Sequence, residues 1–192
     1  MDRITVILIF LGTLIYAVLR YIVFGTNSWD QLPLFIANKA LSFSGLILLT
    51  ISPILKYYGK DENNSLRFSG FIFIILHSVI SIILLNKVYF LKFFNESGTF
   101  KFDSGISILA GIISLISLLF FYFDKNGFRK NNNKLFYILL LILPLIHVLL
   151  IGYGSWLSYS VWPGGMPPIT MISFSIYAAG LIISLGRNPK FI

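Results

Sequence analysis

Runs of apolar residues about 20 long alternate with short polar stretches along the whole chain. A helix rises about 1.5 Å per residue, so a hydrocarbon core of about 30 Å needs about 20 apolar residues to cross it. Six segments meet that length: Ile4–Phe24, Ala40–Tyr58, Phe68–Asn86, Ser104–Phe123, Leu135–Tyr153 and Ile169–Gly186. The third runs on through Val88–Leu91, so that its span is drawn as 68–90. The first is too long for the h-region of a signal peptide, and no small-x-small site follows it before Arg20. It reads as a retained span, with Arg20 snorkelling to the far interface. The pattern predicts one domain over residues 1–192, an all-α polytopic bundle of six transmembrane helices.

Composition narrows the class. The 192 residues are 57% hydrophobic and 11% charged, with a mean hydropathy of +0.86. A soluble domain carries about 25% charged residues, so a soluble fold is excluded. Nineteen Phe and ten Tyr exclude disorder. The absence of cysteine excludes disulfides, thiolate zinc sites and iron–sulfur clusters.

Charge then sets an orientation. The net charge is +8. The side holding both termini and the second and fourth loops carries Arg3, Lys56, Lys60, Arg67, Lys125, Arg129, Lys130, Lys134, Arg187 and Lys190. The other side carries Arg20, Lys39, Lys87, Lys92 and Lys101. This bias puts both termini in the cytoplasm and suits the inner membrane of a bacterium. The positive charge is a topology signal, with anionic headgroups of the lipid bilayer as its partner and no nucleic acid.

Ionisable residues inside spans are costly and mark functional sites. The chain has two histidines, His77 in the third span and His147 in the fifth. Those spans run parallel. His77 follows Arg67 by about 15 Å and His147 follows Lys134 by about 19.5 Å along the helix. Tilt absorbs that difference, so the imidazoles come to similar depth. Two imidazoles are too few for a structural zinc site, but they suffice for the two axial positions of a haem iron. Phe73, Ile74, Ile80 and Ser81 share a helix face with His77, and Leu143, Pro144, Leu150 and Ile151 share one with His147. Pro144 removes a helix hydrogen bond, and Gly70 and Gly154 leave room at the edges of the slot. Histidines that serve packing or proton transfer in a transporter or assembly subunit are the competing reading.

These features resemble the ferric reductase-like transmembrane family. The resemblance is carried by six spans with histidines in the third and fifth. It is carried also by Arg67-Phe68-Ser69-Gly70 leading to Leu76-His77-Ser78, and by Lys134-Leu135-Phe136-Tyr137 followed by Pro144-Leu145-Ile146-His147. The second span, Asn38-Lys39-Ala40-Leu41 through Thr50-Ile51-Ser52-Pro53, is similar to the family as well. The resemblance covers about residues 34–186 and implies b-type haem held by bis-histidine ligation, with His77 and His147 as the axial pair of one haem b. Members with two haems carry a further histidine 13 to 14 residues earlier on each helix. Asn63 or Asn64, and Asn133 or Lys134, stand there instead, so one haem is expected. No flavin or nicotinamide domain follows in these residues, so the resemblance implies a separate cytoplasmic electron donor or quinol. Whether the chain is itself an enzyme or an oxidoreductase component stays open.

The remaining features are weaker. The connection Trp156–Pro168 joins Trp and Tyr with a Pro/Gly turn, and it reads as an interfacial anchor or as a cap over the outer haem edge. Met166 finds no axial position vacant beside two histidines. Lys92–Asp103 reads as a surface loop or an amphipathic segment. Gly105, Ala110 and Gly111 permit close helix packing. Lys125, Arg129, Lys130 and Lys134 could dock an acidic donor, although the positive-inside bias accounts for them. No Ser-His-Asp set, paired intramembrane carboxylates or phosphate-cradling glycine loop is present.

Overall fold

A computed structural model describes residues 2–58, 64–123 and 142–185. The helices are α1 (Asp2–Val18), α2 (Ala37–Tyr57), α3 (Asn64–Ile83), α4 (Phe102–Phe123), α5 (Ile142–Ser155) and α6 (Ile169–Leu185). No strand occurs among the described residues, only an isolated bridge between Phe94 and Phe100. Five stretches are long and apolar enough to cross a membrane: Arg3–Val23, Trp29–Ile51, Ser65–Ile83, Phe102–Phe120 and Pro163–Ile183. α5 is a shorter apolar helix at the place of the expected fifth span, whose first half, residues 135–141, lies outside the described residues.

The packing is inside-out relative to a soluble bundle. Ile4, Leu8, Leu109, Phe120 and Ile82 face outward, Ile82 with 70% of its surface exposed. Thr13, Asn38, Ser44, Thr50, Ser107, Ser117 and Ser173 are buried. Several of the hydroxyls are satisfied within their own helix, as Ser44 and Thr50 donate to the carbonyls of Ala40 and Leu46 one turn back. Apolar area on that scale is stable only against hydrocarbon, and the chain is an integral membrane protein built as an all-α bundle.

α2 is the hub. Over half of Trp29–Ile51 is buried, against 17–28% for the other four spans. α1, α3 and α6 all pack on it. Gly45 and Gly70 let α2 and α3 approach closely: a Cβ on Gly70 would lie 3.0 Å from Leu48 Cβ and 3.1 Å from the Gly45 carbonyl oxygen. Gly70 is therefore committed to this crossing, and it does not leave room beside His77.

Three expected boundaries move for identifiable reasons. The second span begins earlier than Ala40, because Leu32–Ile36 forms a π-turn that continues into α2. The third ends at Ile83 and does not continue through Leu91. Asn86 Oδ1 accepts the backbone N–H of Val88 at 2.9 Å and of Tyr89 at 3.3 Å, and this Asx turn breaks the helix. α1 widens at its C-terminal end into a second π-turn, Leu19–Val23, which turns Arg20 inward. Arg20 is only 6% exposed, so it does not snorkel.

The α3–α4 and α5–α6 connections are folded. Lys92–Asp103 forms a tight hairpin and not an amphipathic helix. Asn95 N–H donates to the Thr99 carbonyl, Gly98 adopts φ +87°, and the rings of Phe94 and Phe100 stack at 4.6 Å. The Trp156–Pro168 connection is fastened inward on two helices. Trp156 Nε1 donates to Thr170 Oγ1 at 3.0 Å, and the Tyr16 hydroxyl donates to the Pro167 carbonyl at 2.6 Å. Leu157, Tyr159 and Val161 point outward, as an interfacial anchor requires.

Candidate functional site

His77 projects from α3 toward the start of α2. Its Nδ1 lies 2.8 Å from Asn38 Oδ1 and 3.3 Å from the Asn38 carbonyl oxygen. The amide of Asn38 is oriented in turn, because its Nδ2 donates to Ser81 Oγ at 2.9 Å. Asn38 is 3% exposed. The amide lies in an apolar span that would reject it without partners, and His77 and Ser81 supply them.

His147 projects from α5 onto α4. Its Nδ1 donates to the Ser107 carbonyl at 2.7 Å, and Ser107 Oγ donates back to the His147 carbonyl at 3.0 Å. Ser107 is fully buried. The ring can lie on α4 because residue 111 is glycine: a Cβ there would stand 2.9 Å from His147 Nδ1 and 3.0 Å from Cε1. Gly111 thus has the close-packing role its spacing suggested, with an imidazole as the neighbour. Gly105 and Gly154 face open space.

The partners fix the protonation of both rings. An amide or backbone carbonyl oxygen only accepts, so each Nδ1 carries the proton. Each neutral imidazole then presents a bare lone pair at Nε2, and no hydrogen bond engages either Nε2 among the described residues. This is the state in which histidine binds a metal, with the second nitrogen held by an oxygen acceptor.

Ile74, one turn before His77, packs against a buried cluster of Leu46, Val148 and Tyr177, and Val148 directly follows His147. Residues close in sequence to each histidine, one on α3 and one on α5, thus belong to one hydrophobic cluster. The other expected wall residue, Phe73, turns away to meet the Phe10 ring at 5.4 Å. No group of three or more metal-ligating side chains gathers among the described residues. Of the positions at which a second histidine pair would stand, Asn63, Asn133 and Lys134 lie outside the described residues, and Asn64 begins α3.

Asn38 and Ser107 are the histidines' hydrogen-bond partners, which the spacing of histidines alone does not reveal. The signal for Asn38 was present as a lone amide inside an apolar run. Ser107 left no signal, since its acceptor is a backbone oxygen that any residue provides. No family model matches the chain, and no curated protein matches it.

Proposed function

We infer that the chain is a six-span membrane cytochrome b holding one haem between His77 and His147, similar in kind to the ferric reductase-like domain. Both termini lie in the cytoplasm, and the host membrane is a bacterial inner membrane. The observation that carries this reading is the matched state of the two imidazoles. Each gives its Nδ1 proton to a fixed oxygen acceptor and keeps an unused Nε2 lone pair. A packing role would account for the Nδ1 bonds and would leave both lone pairs without purpose.

When bound, haem supplies a single-electron couple at its iron. The protein's residues bind and position it. Asn38 and the Ser107 carbonyl hold the imidazole planes and raise the donor strength of each Nε2. Gly111 sets how deeply the His147 ring sits against α4. The apolar helices exclude water from the pair. The electron donor in this reading is a separate cytoplasmic protein or quinol, and the chain acts as an oxidoreductase component.

Titration of detergent-solubilised apo-protein with haemin tests the reading. Saturation at one haem per chain with a low-spin bis-imidazole electron paramagnetic resonance signal is expected. A high-spin signal, or binding that never saturates, contradicts it.

A further inference from the structure

The outer end of the bundle gathers positive charge that nothing in the described residues balances. Arg20 sits in the π-turn of α1, 6% exposed, and its Nε and Nη1 are buried without a hydrogen-bond partner. They are the only such side-chain atoms among the described residues. Lys39, on α2, shares the Tyr21 ring with Arg20, its Nζ 5.6 Å and the guanidinium carbon 5.5 Å from the ring centroid. Lys39 Nζ stands over the rings of Phe35, Tyr21 and Phe90 at 4.6, 5.6 and 5.8 Å, so aromatic faces partly compensate it. Arg20 has the Tyr21 ring, whose centroid is 5.5 Å from Cζ. The carboxylates described with their side chains, Asp30, Glu96 and Asp103, are all exposed.

A buried guanidinium with two empty N–H donors is costly, and a second cation beside it raises the cost. Two π-turns, Leu19–Val23 and Leu32–Ile36, shape the backbone around this place. π-turns are rare and concentrate at functional sites. The component that would neutralise the charge is an oxyanion, which a guanidinium recognises through charge-assisted hydrogen bonds.

We propose that Arg20 and Lys39 form a binding site for the carboxylate or phosphate group of an amphipathic ligand at the outer end of the bundle. Two sources carry that chemistry, the headgroup of an anionic phospholipid and the propionates of haem. The phospholipid source is independent of the haem reading, and the propionate source rests on it.

The test uses full-length wild type, Arg20→Gln and Lys39→Gln in two arms. In the first, thermal unfolding is followed in nanodiscs of phosphatidylglycerol and of phosphatidylcholine. In the second, apo-protein is titrated with haemin and with haemin dimethyl ester, which lacks the free carboxylates. The site predicts a wild-type preference for the anionic probe in at least one arm, either a midpoint higher by several degrees or binding tighter by on the order of tenfold. It predicts that Arg20→Gln abolishes that preference and Lys39→Gln reduces it. The arm that responds identifies the source. Should Arg20→Gln not fold, Lys39→Gln decides alone. Equal behaviour of wild type toward charged and neutral probes in both arms, or a preference that survives both substitutions, overturns the proposal. If wild type takes up neither haemin nor its ester, the haem reading fails while the lipid arm still decides the site.

Discussion

His77 Nδ1 and Asn38 Oδ1 lie 2.8 Å apart, joining the third helix to the start of the second through a nearly inaccessible amide. The amide cannot rotate freely, because Ser81 holds its nitrogen. His77 is thereby locked in one tautomer and one ring plane. The same lock appears on His147 with a backbone oxygen in place of the amide. The two residues therefore differ in how they respond to mutation.

The His77 lock is a side chain and can be removed. Asn38→Leu should lower haem affinity by about 10- to 100-fold, the usual effect of losing the acceptor behind a ligating imidazole. Asn38→Asp should keep the haem and lower its midpoint potential, because a carboxylate makes the imidazole a stronger donor. Haem content per chain and a redox titration read the two effects. Full retention of haem by Asn38→Leu would remove Asn38 from the site.

The His147 lock is a main-chain atom and survives truncation of its residue. Ser107→Ala loses the hydroxyl bond to the His147 carbonyl, worth about 0.5–1.5 kcal/mol, and a longer 3.2 Å contact of that hydroxyl with Nδ1, but keeps the 2.7 Å carbonyl acceptor and should keep a normal spectrum. Gly111→Ala drives a methyl group to within 3 Å of the ring, where overpacking costs about 1–3 kcal/mol. It should broaden or weaken the low-spin signal. The predicted order, Gly111→Ala far more damaging than Ser107→Ala, is checked by electron paramagnetic resonance on the two variants side by side.

Lys92 makes stability depend on pH in the alkaline range. Its Nζ donates to the Ile151 carbonyl at 2.7 Å, near the end of α5, and lies 5.7 Å from the Phe93 ring. Although Lys92 as a whole is exposed, desolvation of its ammonium, and then the charge of Lys39, push its pKa down from 10.5 to about 8. The folded state thus holds this proton less tightly than the unfolded state. The stability linked to Lys92 is complete above about pH 10.5 and is lost as pH falls through about 8. Unfolding midpoints taken at about pH 7.5 and about pH 10 should rise for wild type relative to Lys92→Met. Parallel slopes for the two proteins would contradict the assignment.

The apolar helices were legible because hydropathy reports directly on what faces lipid. Helix α4 and the start of α6 fall within two residues of the expected positions, and Pro167-Pro168 marks the latter. The hidden features all involve polar atoms that turn inward. Asn38 and Lys39 look like a span boundary in sequence, yet Asn38 is buried, because a partner histidine 39 residues away makes its burial affordable. Arg20 reads as an interfacial cation, and only the π-turn redirects it. Gly70 reads as space beside a histidine, and its true neighbour, α2, is not adjacent on its own helix face. Periodicity along one helix gives the face of a residue and not the helix that covers it.

The cysteine-free chain makes orientation testable without background. Ser97 lies exposed in the outer hairpin. Ser97→Cys should react with a membrane-impermeant maleimide in intact cells, whereas Lys190→Cys should react only after the cells are opened. The reverse pattern would place the termini outside and would move any soluble electron donor to the other side of the membrane.

The most direct measurement is the absorption spectrum of purified protein, oxidised and then reduced with dithionite, for wild type, His77→Ala and His147→Ala. Wild type should show a b-type spectrum with a sharp reduced α-band at one haem per chain, and each substitution should abolish the band while the protein stays monodisperse. A colourless, stable wild-type protein that haemin cannot reconstitute, or a band that persists in either variant, contradicts the account.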